Sequence, residues 1–136
     1  MSDARTEAEW TAVFLAAAEL TRRGHRVSLT LGPNAPLADL VVRTPGGTDI
    51  IVDVKGKRKP GAWVVKPKPA TPGLFYVLVR LGMTPGGPDR REDRFYLMPQ
   101  AEALRLTKTN DKHPGLSGFS SQAAASSLDD WNCLPA

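Results

Sequence analysis

Cysteine is nearly missing from these 136 residues; Cys133 is the only one, so the chain has no internal disulfide and no cysteine zinc site. Histidine is almost as scarce. His25 and His113 stand alone in sequence and read as structural or surface residues, supplying neither a zinc set nor a nucleophilic pair. Long apolar runs are lacking too: the longest, Ala12 to Ala18, falls far short of the ~20 residues of a membrane helix. It is flanked by Glu9 and Glu19, not by a basic region and a cleavage site, which excludes a signal peptide. A cytoplasmic chain with no membrane partner is expected. The length supports one core and not two, which excludes a cofactor domain paired with a substrate domain, or a large solenoid. Residues 1–136 therefore read as one domain, with a core over about 6–106 and a tail, 107–136, packed on it. Gly46-Gly47 and Gly86-Gly87 are turn formers, and neither precedes the helix start that a nucleotide-binding loop needs.

What is present begins with a helix. Trp10, Val13, Phe14, Ala17 and Leu20 have the spacing of one helical face, Thr6 and Glu9 that of a capping box, and Arg22-Arg23-Gly24 that of a stop. Strands are expected over His25–Leu31, Ala38–Arg43 and Asp49–Lys55, with breaks at Pro33, Asn34 and Pro36 and a hairpin turn at Thr44-Pro45-Gly46-Gly47-Thr48. A short strand at Trp63–Val65 and a buried central one at Leu74–Leu81 follow. Beyond the Gly/Pro-rich loop 82–93 come a strand, Phe95–Met98, and a helix, Gln100–Leu106. The tail has only Phe119, Leu128, Trp131 and Leu134 with which to dock and is expected to be irregular, Cys133 docking with them. The order α-β-β-β-(β)-β-β-α indicates an α/β or α+β domain on one mixed sheet.

The net charge is only +4, but six basic residues and no acid lie between Lys55 and Lys68. Such an excess attracts a polyanion through Coulomb forces and counterion release. It equally describes a solvated lysine-rich connection that protects a sheet edge. Lys57, Arg58, Lys59, Lys66 and Lys68 are the candidate phosphate contacts.

The hairpin sharpens this. With a three-residue loop, Pro45-Gly46-Gly47, Thr44 pairs with Thr48 and residue numbers across the ladder sum to 92. Asp39 then lies opposite Asp53 on one face, with Cβ atoms about 5 Å apart. A two-residue loop would separate them. Two opposed carboxylates repel, and a hard divalent cation such as Mg²⁺ reverses the sign of that interaction. Lys55 follows Asp53 on the same face, where an ammonium can orient the attacking water or neutralise charge on a phosphate. A cation, a lysine and a basic run together point to phosphodiester hydrolysis. The pattern acid, gap, acid-x-Lys is weak by itself, and an edge hairpin with solvated Asp and Lys in a surface ion pair is the competing account.

Ala38-Asp39-Leu40-Val41-Val42 followed by Ile50-Ile51-Val52-Asp53-Val54-Lys55 resembles the PD-(D/E)XK motif of the restriction-endonuclease-like nucleases. The helix ending Ala18-Glu19-Leu20-Thr21-Arg22-Arg23-Gly24-His25, the segment Leu29 to Asn34, Trp63-Val64-Val65-Lys66, Phe75-Tyr76-Val77-Leu78-Val79 and Phe95-Tyr96-Leu97-Met98-Pro99 resemble short single-domain bacterial members. The likeness covers roughly residues 6–106, and the Trp131 tail more loosely. It implies a mixed four- to five-stranded sheet flanked by helices and Mg²⁺- or Mn²⁺-dependent cleavage of DNA. By position it makes Asp39 and Asp53 the metal ligands, the Val54 carbonyl a third, and Lys55 the catalytic lysine. Ala38 stands where the motif has Pro, and Val13 where the close group has a helix Glu. Glu9 is the helix candidate instead, although it lies about 75° from the centre of the apolar stripe and also suits the capping box. Glu19 should face water. The resulting expectation is a metal-dependent DNA endonuclease with a D-x(13)-D-x-K site. Its alternatives are an inactive protein of the same fold that binds nucleic acid or a protein partner, and an unrelated small α/β domain. Dimerisation is common among such nucleases, but no residue pattern here reveals an interface.

Overall fold

The computed structural model describes residues 4–30, 38–82 and 92–136. Leu31, Pro33, Asn34 and Pro36 lie outside the described residues, as do Gly86 and Gly87. The fold is mixed α+β. Helix α1 (Ala4–Arg22) is followed by β1 (Arg26–Leu29), β2 (Leu40–Arg43), β3 (Asp49–Lys57), β4 (Trp63–Val64), β5 (Leu74–Arg80), β6 (Arg94–Pro99) and α2 (Gln100–Leu106), with β7 (Gly118–Phe119) in the tail. Five strands form one sheet in the order β1-β2-β3-β5-β6. Only the β3–β5 pair is parallel. Both faces of β5 are covered, which is why Leu74–Val79 reads as an apolar run without alternation. Among the described residues, no helix is long and apolar enough to cross a membrane.

The hairpin between β2 and β3 has the expected register: Leu40 pairs with Val52, Val42 with Ile50 and Arg43 with Asp49. The loop is Pro45-Gly46-Gly47, closed by Thr44 N–H on the Thr48 carbonyl at 2.8 Å and Gly47 N–H on the Thr44 carbonyl at 2.9 Å. Gly47 takes φ 91°, the left-handed position that a three-residue hairpin requires. Arg43 grips Asp49 across the ladder through Nε at 2.8 Å and Nη2 at 3.1 Å.

Helix α1 covers one face of the sheet, but not with its largest side chains. Ala8, Ala12, Val13, Ala16 and Leu20 are buried over Leu40, Val42, Ile50, Val52 and Val54. Trp10 and Phe14, expected inside, are 45% and 55% exposed and stack on each other at 5.8 Å. Close approach to β3 explains the difference. A Cβ on Gly56 would fall on the Ala12 Cβ and only 2.9 Å from the Ala8 carbonyl oxygen, so this crossing admits only small residues. The capping box also fails: α1 begins at Ala4, which places Thr6 and Glu9 inside the helix. Glu19 is half-buried, paired with Arg23 at 3.1 Å.

The other face carries a second cluster, in which Leu74, Tyr76, Leu78 and Met98 meet Trp63, Val65, Ala103 and Phe119. The tail is less irregular than expected. Phe119 pairs with Trp63 and Gly118 with Val64, making β7 the partner of β4. Phe119 and Leu134 are buried, whereas Leu128 stays exposed. Trp131 packs on Phe95 with ring centres 5.6 Å apart and lies under the Arg23 guanidinium at 4.2 Å. Cys133 is half-buried, and burial pushes its thiol up to about 11.

Gly56→Ala is expected to force α1 off β3 and lower stability by about 1–3 kcal/mol, the usual range for overpacking. Urea denaturation checks this, and an unchanged midpoint would refute the close-approach account.

Candidate functional site

Alternation along β3 turns Ile50, Val52 and Val54 toward α1, and therefore Ile51, Asp53 and Lys55 to the opposite face. Asp39, one residue before β2, shares that face because Leu40 and Val42 point toward α1. Its N–H bonds the Val52 carbonyl at 2.9 Å, its carbonyl accepts Thr30 N–H at 3.0 Å, and its Oδ2 accepts Val54 N–H at 2.7 Å. Burial raises the Asp39 carboxyl above the usual carboxylate range; the Val54 N–H opposes this, Asp53 adds to it, and Lys55 and Lys68 oppose it. The two acids therefore sense each other, as the register requires.

Asp53 is only 4% exposed, yet each of its oxygens meets an ammonium: Oδ1 lies 3.2 Å from Lys55 Nζ and Oδ2 lies 2.5 Å from Lys68 Nζ. A buried carboxylate demands such compensation. Lys68 comes from the segment that crosses from β4 to β5, and a side chain beyond the motif fixes that segment. Gln100, buried at the start of α2, donates through Nε2 to the Pro69 carbonyl at 3.0 Å. Its Oε1 accepts Thr71 N–H at 2.7 Å.

Asp39, Asp53, Val54 and Lys55 line one cavity of about 740 Å³, and Glu9 lines it too. The true buried stripe of α1 explains Glu9: at 100° per residue it lies roughly 20° from the mean direction of Ala8, Ala12, Val13, Ala16 and Leu20. It sits on the sheet-facing side of the helix, near its N-terminal end, while remaining exposed. Tyr76, paired with Asp53 across the parallel ladder, also lines the cavity. Burial and the Asp53 charge push its phenol up to about 12.

The candidate phosphate contacts divide. Lys66 is exposed on the cavity wall and Lys68 sits on Asp53 within it. Lys57 lines the cavity, but its ammonium bonds the Gly61 carbonyl and the Ala62 carbonyl (2.7 Å) and lies 4.5 Å over the Trp63 ring. Arg58 and Lys59 are not on the cavity wall; the Arg58 carbonyl accepts Arg80 Nε at 2.8 Å, and Lys59 is exposed. Sequence periodicity flagged neither Gln100 nor Tyr76. A lone hydroxyl in the otherwise aliphatic and Phe-bearing stretch Leu74–Val79 was the one available signal for Tyr76. His25 lies away from this cavity, its Nδ1 buried without a hydrogen bond.

The donor chemistry suits a hard cation. In a strand, a residue's N–H and C=O point to the same edge; Ile51 N–H bonds toward β5, so Val52 and Val54 point toward β2. Past the described end of β2, no N–H among the described residues bonds the Val54 carbonyl, which would add an oxygen donor to the two carboxylates beside the cavity. Among the described residues, no three carboxylate, histidine or cysteine side chains converge on one point. Two carboxylates with water completing the shell nevertheless match the habit of Mg²⁺. Comparison with protein-family models, curated proteins and solved structures gives no match.

Asp39→Asn is expected to stabilise the metal-free protein near neutral pH, since Asn Oδ1 still accepts the Val54 N–H. The folded-state carboxyl is raised, so the wild type's stability is complete below the ordinary value of 3.8 and declines as pH rises through the raised one. Melting curves across that window should show the variant's advantage vanishing at low pH; an advantage independent of pH would refute it.

Proposed function

We propose that the chain is a Mg²⁺-dependent DNA endonuclease of the restriction-endonuclease-like class, Mn²⁺ serving in the same place. One observation carries the reading: Asp39, Asp53 and Lys55 share one face and one cavity, as the register and the PD-(D/E)XK resemblance require. The Asp39 and Asp53 carboxylates and the Val54 carbonyl would hold the ion. When bound, a hard divalent cation draws negative charge off the oxygens of the scissile phosphate.

The remaining roles belong to the chain. Lys55 Nζ, tethered to Asp53 and partly exposed, orients the attacking water and places positive charge beside the developing negative charge. Lys66, on the wall, attracts the phosphate backbone from solution. Tyr76 stays a neutral phenol through the physiological range, so it is a hydrogen-bond partner and not a base. Glu9, on the wall of the same cavity, would supply the helix carboxylate on the metal side.

A second reading, a nuclease-fold protein that binds nucleic acid without cutting it, is favoured by the Lys68 ammonium on Asp53, where it occupies an oxygen the ion would use. Plasmid nicking in Mg²⁺ or Mn²⁺ separates the two. Cleavage by the parent is expected, reduced to background in Asp53→Asn and by about 100-fold or more in Lys55→Met, with circular dichroism confirming both folds. DNA bound but left intact by the parent supports the second reading and overturns the first.

A further inference from the structure

The β4–β7 pairing places the start of the tail beside the cavity. A second pocket, of about 470 Å³, lies against the first and shares Ala62, Trp63 and Leu116 with it. Its other wall is the tail, with Lys108 and Lys112 exposed and Asp111 as the acid among its lining residues. The loop is ordered in advance: Asn110 Oδ1 accepts the N–H groups of Lys112 at 3.1 Å and His113 at 2.9 Å, and Leu116 N–H bonds the His113 carbonyl at 2.8 Å. Lys108 is bridged to Gly118 in both directions. The crest between the pockets is apolar, with Leu116 60% and Val64 46% exposed.

We infer that the two pockets are one nucleic-acid path, in which Lys108 and Lys112 hold DNA phosphates flanking the site and Leu116 meets a deoxyribose face where the backbone passes the crest. Two cations separated from a cationic cavity by an exposed aliphatic ridge match the alternation of charged phosphate and less polar sugar along a DNA backbone. The inference rests on the nuclease reading for its choice of DNA, but binding alone tests it.

Fluorescence anisotropy of a short labelled DNA duplex, in chelator and over a potassium chloride series, reads the path with no cleavage taking place. The double variant Lys108→Ala/Lys112→Ala is expected to flatten the dependence of log affinity on log salt by about 1.8, two phosphate contacts at about 0.9 each. Leu116→Ser is expected to weaken binding about tenfold at every salt concentration and leave the slope unchanged, as an apolar contact does. An unaltered slope in the double variant overturns the path, and an unaltered affinity in Leu116→Ser overturns the role of the crest. A parent that binds no DNA overturns both this inference and the nuclease reading. A parent that binds but does not nick plasmid overturns only the latter.

Discussion

Everything at the cavity depends on a carboxylate that has been taken out of water. Asp53 sits on a central strand with paired neighbours on both sides, and its charge is tolerable there only because two ammoniums reach it. One, Lys55, is supplied by the strand itself. The other, Lys68, must be delivered by the crossing between β4 and β5, and the buried amide of Gln100 fixes that crossing by binding backbone at Pro69 and Thr71. A chain of polar contacts thus runs from α2 through the crossing segment to the acid, and a parallel strand pair with its crossover brings the ends of that chain together.

The opposite layer is set by a steric constraint. Gly56 lets α1 lie so close to β3 that only alanines fit between them. The same closeness rotates the helix, turning Glu9 toward the sheet and Trp10 and Phe14 toward solvent. One absent side chain on β3 thereby decides which face of a 19-residue helix becomes interior.

These two devices differ in how far they could be read in advance. The hairpin was legible up to its loop length: a three-residue Pro45-Gly46-Gly47 loop with Gly47 left-handed gives the register by counting, where a two-residue loop would shift it. The helix face was not, because periodicity weighs residues by hydrophobic size, and two aromatic rings outvoted three alanines whose virtue is smallness. Lys68 was legible as a cation but not as Asp53's partner: its position depends on a crossover with no periodicity and on a glutamine 32 residues further along the chain. The β4–β7 pairing was equally hidden, since two-residue strands carry too little pattern to separate from loop.

Because both oxygens of Asp53 are matched by lysines of the same polypeptide, that buried charge is compensated within the chain itself. Small domains that knit themselves around zinc are born unfinished and must scavenge an ion before they can exist at all. At Asp53 the compensation is built in, so an ion entering the cavity would compete with ammoniums already in place.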